Sequence, residues 1–572
     1  MKVSDYIVEL LSKAEVNTIF GYVGGFNQDI VDSIFANETT NFVLNYHEQA
    51  SSFAANGYAI VKEKVSVATS SGAPSSCNLV AGIANSYFDS VPCVFLVGSC
   101  HSKAVRESKD IRQNAFEEID MISLIGDITK YAVKIKNPAD IKYYIEKAFF
   151  IANEGRKGPV LIDIPYDVSR CDIDVRNLRG FVPEISSTYD EIDFKKVTEI
   201  LKNAKRPLLL LGGGSRSKES KKLINSLLEK VEIPVVSSLC GLDALSHNHK
   251  SFVGFIGHYG NRYANLALSN CDCLIVLGSR LDERQMGGFY TKFDTEMKVV
   301  RVDVDKAELG RKIPETLSYY SSVENFLEKL ILENFKDCNY SRWFEVISSW
   351  KGRYPSYDLT KTEVNANNFL HVISDYLPKN AIICADVGQN QMCTAQTLKL
   401  DYERKLINSA GYGSMGYSLP AAIGASYASD KKNCVLSING DGGIQMNIQE
   451  LETLKRDNLP VNVIILNNHC LGMIRKLQEN MYDRRYNASI NGYSVPNFSA
   501  IAKAYGINYL LIDSVEKYVL FKDFISDKNP TITEVILPQN MNNIPEPGPS
   551  IEKQVPVLSD EEFTLVKKEC CF

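Results

Sequence analysis

Residues 439–447 read NGDGGIQMN and follow the apolar run CVLSI. Glycines at 440, 442 and 443 let the backbone turn sharply and approach a ligand. The helix expected next offers free N–H groups and a positive dipole end to a phosphate. Asp441 would repel that phosphate unless a cation stood between them. Magnesium does so, because it takes carboxylate, carbonyl and phosphate oxygens together. The run VNVIILNN ends at Asn467 and Asn468, and Asn468 lies 27 residues after Asp441. On neighbouring parallel strands the two side chains would meet at the carboxyl ends, where open α/β sheets bind ligands. Two ordinary loop turns are the plain alternative.

A second stretch, 45–52, reads NYHEQASS. It joins a strand-like NFVLNY to a helix-like FAANGYAIVK, and sets His47 and Glu48 at the entrance to a core. A helix cap plus a surface charge explains the pair plainly. A carboxylic acid in a dry site that moves a proton is the other reading. His47 stays open between packing and a functional contact.

The elements that would position these residues fall into three blocks of alternating strands and helices, the signature of parallel α/β layers. The first, 1–175, contains NTIFGYVGG, NFVLNY, VSVATSSG, CVFLVGS and PVLIDIP. The second, 190–335, contains PLLLLGGG, PVVSSL, CLIVLGSR and VVRVDVD. The third, 360–540, contains AIICADVG, CVLSINGDGG, VNVIILNN and TITEVIL. We read three doubly wound parallel sheets in an α/β fold. A polar segment, 171–187, crosses between the first two blocks. Trp343 and Trp350 lie between the second and third. The tail 541–572, with NNIPEPGPS, is expected to wrap another surface. A net charge of -6 with scattered basic residues gives no footprint for nucleic acid. No apolar run is long enough for a membrane span. Fourteen thinly spread cysteines suit a reducing cytoplasm.

FGYVGG at 20–25, HEQA at 47–50, GPVLIDIP at 158–165, VGQNQM at 387–392, GSMGYSLPAAIGA at 413–425 and NNHCLGM at 467–473 stand in fixed order. Together with GDG and its paired asparagine, they make the chain resemble acetohydroxyacid synthase and related thiamine diphosphate-dependent enzymes along nearly its whole length. The resemblance implies pyrimidine-binding, central Rossmann-like and diphosphate-binding domains. It implies Asp441, Asn468 and the Cys470 carbonyl as magnesium ligands. Val387, Gly388, Gln389, Asn390, Gly440, Gly442, Gly443 and Met473 fall around the cofactor. The Gly413 carbonyl would accept the coenzyme's amino group, and Met415 would hold it bent. Gly25 would lie beside the thiazolium, and Glu48 would manage a proton at the pyrimidine ring. Phe116 and Glu117 would face substrate. Such enzymes are homodimers or homotetramers with active sites between subunits.

In the central block the same resemblance implies FAD. Gly213 and Gly214 follow PLLLL; Ser238 and Leu239 follow PVVS. GHYG holds Gly257, His258 and Tyr259; GSRLDER holds Gly278, Arg280, Asp282 and Arg284; Asp303 ends the next strand. ADP or an empty shell are the alternatives. The departures fall in the substrate pocket. Leu477 stands where the synthases carry tryptophan, Glu117 where they carry glutamine, and SSGAPSSCN at 70–78 departs from their loop. Gly25 replaces an aspartate of the pyruvate decarboxylases, so release of aldehyde is less assisted than carbon–carbon bond formation. The reading is a carboligase that decarboxylates a 2-keto acid, pyruvate, and transfers the two-carbon unit to a second carbonyl. Transfer to a keto-sugar nucleotide, flavin-dependent pyruvate oxidation and a non-catalytic cofactor-binding subunit are the alternatives.

Overall fold

The computed structural model describes residues 1–572 except 109, 185–187, 288–295, 312 and 402. The last three residues of the crossing segment therefore lie outside the described residues. Among those described, eighteen strands form three parallel six-stranded sheets.

The first sheet contains β1 (Thr18–Gly21), β2 (Asn41–Leu44), β3 (Ser66–Ser70), β4 (Cys93–Ser99), β5 (Tyr131–Lys134) and β6 (Val160–Pro165), in the order β2-β1-β3-β4-β6-β5. The second contains β7 (Pro207–Leu211), β8 (Val235–Ser237), β9 (Phe252–Phe255), β10 (Cys273–Leu277), β11 (Lys298–Asp303) and β12 (Leu317–Tyr320), in the order β12-β11-β10-β7-β8-β9. The third contains β13 (Ile382–Ala385), β14 (Lys405–Asn408), β15 (Val435–Gly440), β16 (Val461–Asn467), β17 (Asn508–Ile512) and β18 (Thr531–Ile536), in the order β14-β13-β15-β16-β18-β17. Inner strands such as Pro207–Leu211 and Cys273–Leu277 are buried along their length, as apolar runs covered on both faces must be.

Each sheet has a switch point at which successive connections run to opposite sides: between β1 and β3, between β7 and β10, and between β13 and β15. Chains leaving the two strands at such a point part to opposite faces and leave a crevice. The motifs singled out from sequence lie at these crevices. Gly25 and the 71–75 loop follow β1 and β3. Gly213 and Gly278 follow β7 and β10. Gly388 and Asp441 follow β13 and β15.

The helix Glu48–Lys62 of the first layer packs on the helix Ser418–Ala428 of the third within the same chain. A Cβ on Gly57 would overlap the Ala421 carbonyl oxygen, and one on Gly424 would overlap that of Ala54. The two helices therefore meet backbone to backbone, and only glycine permits it.

The tail wraps the chain's own third and central layers. Met541 and Asn543 are buried against Gln389, and Gln554 donates to the carbonyls of His258 and Gly260. The helix Asp560–Glu569 then brings Glu569 to Trp350 and Arg353. Among the described residues no helix is long and apolar enough to cross a membrane.

Candidate active site

Glu48 is the first residue of its helix, and His47 is the cap. His47 Nδ1 accepts from the Gln49 N–H at 3.1 Å, so the ring satisfies one of the free donors at the helix end. His47 thus has a structural part as a helix cap. Glu48 is 8 % exposed. Ser75 Oγ donates to one carboxyl oxygen at 2.7 Å and Asn78 Nδ2 to the other at 2.9 Å. Both donors come from the segment that follows β3, so β3 fixes where the carboxyl points.

The segment 45–49 is docked on the third layer. Asn45 Nδ2 and Tyr46 N–H donate to the buried Glu450 carboxylate at 2.9 and 2.7 Å, and Asn447 donates to Gln49 at 3.3 Å. Glu450 thereby ties the approach to Glu48 to the helix that follows the glycine-rich turn.

Gly25 faces open space: nothing lies within 4 Å of where its Cβ would be. Its neighbours are fixed, because Phe26 N–H donates to Ser71 Oγ at 3.0 Å and Gly24 N–H to Asn27 Oδ1 at 2.8 Å. Glu117, at φ +54°, fills the space above Gly72, where a Cβ would overlap its carboxylate. Its carbonyl accepts from Ala73 N–H at 3.2 Å. It makes no ion pair among the described residues. Phe116 stands 78 % exposed.

The turns after β13 and β15 converge through Asp386, which sequence reading passed over. It is fully buried and accepts from Val387 N–H at 2.7 Å and Gly416 N–H at 3.0 Å. A Cβ on Gly443 would press on the same carboxylate. One side chain thus gathers the segments of Gly388, Gly413 and Gly440. Burial pushes its pKa up to about 7, against the pull of those N–H donors. Gly388, at φ +128°, has a conformation open essentially to glycine alone. Asn390 lies beside both Gly388 and Gly440, and its Oδ1 is buried with no partner. Gly413, at φ +75°, faces open space. Met415 Cε lies 3.6 Å from where a Cβ on Gly442 would be.

Asp441 is 2 % exposed. Its Oδ1 accepts from Tyr493 O–H at 3.1 Å, and its Oδ2 is buried without a partner. Burial pushes the carboxyl up to about 6, although Tyr493 favours the charged form. Asn468, 6 % exposed, directly follows β16, the strand that pairs with β15. Its Oδ1 accepts from Cys470 N–H at a long 3.4 Å. An orphaned carboxylate oxygen next to a lightly used amide oxygen is a donor set for a hard cation that takes oxygen ligands. No cluster of three His, Cys, Asp or Glu side chains suited to a metal occurs among the described residues. A soft-metal site is not built here; an oxygen-ligand site fits.

One expectation changes in kind. The Gln389 side chain is committed within the protein: Oε1 accepts from Asn468 and Nε2 donates to the Met541 carbonyl. Met473 is the second residue of the helix Gly472–Met481, whose first glycine leaves room for Gln389. Leu477, on that helix, is 45 % exposed.

The central crevice opens into a cavity of about 500 Å³, within the ~300–1,000 Å³ of small-molecule pockets. Gly213, Gly214, Ser238, Leu239, His258, Tyr259, Gly278, Arg280, Asp282, Arg284 and Asp303 all line it. Gly257 does not. At φ +116° it is where the backbone passes close to the Arg284 carbonyl. The cavity's charges are largely paired. Arg280 meets Asp282 at 2.7 Å, Arg216 meets Asp243 at 2.6 Å, and Arg156 meets Asp305 at 2.9 Å. Asp89, which bridges Ala410 and Gly411, is pushed up to about 6 by burial, against the two N–H groups and Arg280.

Three parallel sheets, with a buried carboxyl at one crevice and an orphaned carboxylate oxygen near an amide oxygen at another, suit a thiamine diphosphate enzyme. Residues 1–124, 194–330 and 386–535 match, in turn, the N-terminal TPP binding, central and C-terminal TPP binding domains of the thiamine pyrophosphate enzymes. The chain belongs to that family. It is 34% identical to the acetolactate synthase large subunit of Lactococcus lactis, over 95% of this chain and 93% of that one. It is 34% identical to the Parasynechococcus marenigrum acetolactate synthase large subunit, over 99% and 92%. It is 32% identical to a probable acetolactate synthase large subunit of Methanocaldococcus jannaschii, over 99% and 98%. The protein is an acetolactate synthase-like, thiamine diphosphate-dependent carboligase.

Proposed function

We propose that the enzyme decarboxylates pyruvate and joins the two-carbon unit to the carbonyl of a second pyruvate, giving acetolactate and carbon dioxide. We place it in the cytoplasm, with magnesium and FAD bound. Bound thiamine diphosphate supplies the electron sink that lets a 2-keto acid lose carbon dioxide. The chain's own residues do the rest. Asp441, Asn468 and the Cys470 carbonyl hold the magnesium, which screens the diphosphate from the Asp441 carboxylate. Gly388, Gly440, Gly442 and Gly443 bring backbone close to the diphosphate, and Asn390 turns a buried amide toward it. Gly413 and Met415 seat the coenzyme's rings. Glu48 holds a proton at the pyrimidine nitrogen, its carboxyl aimed by Ser75 and Asn78. Gly25 leaves the reacting carbon uncovered. Val387 and Met473 line the same crevice.

The observation that carries this reading is the buried, unpartnered Oδ2 of Asp441 beside Asn468. FAD is supported by the central cavity, lined by eleven of the twelve residues named for it. A homodimer or homotetramer that completes the site is supported by Tyr22, Tyr412 and Met446. They are 41, 43 and 52 % exposed, a few residues from Gly25, Gly413 and Gly443, and large exposed apolar groups beside a site mark a surface to be covered. The domains divide as 1–175, 190–335 and 360–540. A sugar carbonyl as acceptor is the second reading, favoured by the unpaired Glu117, whose charge opposes a carboxylate-bearing acceptor.

Purified protein given pyruvate, magnesium and thiamine diphosphate should form acetolactate and carry a flavin absorption band. Acetaldehyde as the sole product, whatever acceptor is offered, rejects the carboligase. A colourless active enzyme rejects the flavin.

A further inference from the structure

The tail segment 539–543 lies along the loop that carries Asn468 and Cys470. Gln539 Nε2 donates to the His469 carbonyl at 3.3 Å, and Cys470 Sγ meets the Gln539 carbonyl at 3.5 Å. Asn543 Nδ2 donates to the Gln389 carbonyl at 3.1 Å. A backbone carbonyl can only accept. The Met541 carbonyl therefore takes the amino end of the Gln389 amide, at 3.0 Å. Gln389 Oε1, the accepting end, is left facing Asn468 and takes its Nδ2 at 3.0 Å. Asn468 is thus held with Oδ1 turned away from Gln389. Beside it, Asp441 Oδ2 is buried and unpartnered.

From this relay we infer that Gln389 is a positioning residue, held by the tail, that dictates which atom of Asn468 meets the metal. The inference rests on the reading of Asp441 and Asn468 as metal ligands. It reassigns the Gln389 side chain from diphosphate contact to support of the metal ligand. Without the relay, only the long 3.4 Å bond from Cys470 N–H opposes a turn of the Asn468 amino group toward the cation, which an NH₂ cannot ligate. It also gives the tail a role at a site far from it in sequence: the Met541 carbonyl fixes the Gln389 amide, which reinforces the orientation that the long Cys470 N–H bond gives Asn468.

The test is a titration of the full-length protein with Mn²⁺ in the presence of thiamine diphosphate, with free Mn²⁺ read by electron paramagnetic resonance. Gln389→Met keeps the volume and removes both hydrogen bonds. Loss of such a supporting partner is expected to weaken Mn²⁺ binding by ~10–100-fold. Adding Asn468→Asp supplies two accepting oxygens, so orientation no longer matters and binding should recover to within about threefold of the parent. An unaltered affinity in Gln389→Met overturns the inference. So does a loss that Asn468→Asp fails to repair, which would mean direct contact between Gln389 and the diphosphate. Asn543→Ala loosens the same relay from the tail side and should weaken Mn²⁺ binding by about threefold or more. Should Gln389→Met not fold, an unchanged Asn543→Ala overturns the inference instead. A parent protein that binds no Mn²⁺ rejects the metal-site reading itself.

Discussion

At the third sheet's crevice, Asp441 Oδ2 and Asn390 Oδ1 are buried without partners. At the central crevice, Arg156, Arg216 and Arg280 are each matched to a nearby carboxylate. The topology is the same, a switch between two parallel strands, yet the two are finished differently. Leaving a buried polar atom unmet costs about 1–3 kcal/mol, and a fold carries that cost where a ligand repays it. The third crevice is thus marked by unmet polar atoms. The central one is specified by volume and shape, its charges already balanced among themselves.

Several substitutions would break or sharpen that contrast. Asp441→Ala is expected to lower magnesium-dependent turnover by more than about 100-fold, as loss of a ligand should exceed loss of its support. Urea unfolding of the apoprotein should show stability kept or slightly raised, since an orphaned buried group has been removed. Arg216→Met should do the reverse. Burial opposes the Asp243 charge, but Arg216 and Lys221 hold that carboxyl well below its usual range. Removing the arginine strands a buried charge, at about 3–5 kcal/mol in urea unfolding, with Mn²⁺ binding unchanged.

Smaller effects probe the substrate side and the joint between layers. Glu117→Gln should raise the rate with a second 2-keto acid relative to a neutral aldehyde by about tenfold, the worth of one like-charge repulsion near a surface. Product ratios from mixed acceptors measure it. Asp89 keeps its proton up to about pH 6 in the folded chain, while an unfolded aspartate releases it near pH 3.9. Its contribution to stability is therefore full below that lower value and is lost as pH rises through about 6. Melting temperature followed across this window should fall less steeply in Asp89→Asn than in the parent, since the raised Asp441 and Asp386 carboxyls still titrate there.

The sequence announced the inner strands and the glycine turns, because central parallel strands read as unbroken apolar runs and turns need particular residues. It concealed β5, β9, β12, β14 and β17. All five are sheet edges, where a strand is short or half exposed and its pattern weakens, as in Tyr131–Lys134 and Leu317–Tyr320. Glu48 was legible as a candidate. Ser75 and Asn78 were not, since only the fold brings the 71–78 segment over it. The helix cap was legible in the His47–Glu48 pair, although histidine is not among the usual capping residues. Asp386 was read as part of a strand end. The tail's hold on Gln389 could not be inferred at all, being 152 residues removed in sequence.

The central claim is that Glu48, fixed by Ser75 and Asn78, supplies the proton on which catalysis depends, while the third crevice binds the cofactor independently of it. Glu48→Gln, compared with the parent for acetolactate formation and for Mn²⁺ and thiamine diphosphate binding by calorimetry, separates the two. The account predicts turnover reduced by about 10²–10⁴-fold with both affinities preserved. Turnover close to the parent's, or cofactor binding lost together with activity, would contradict it.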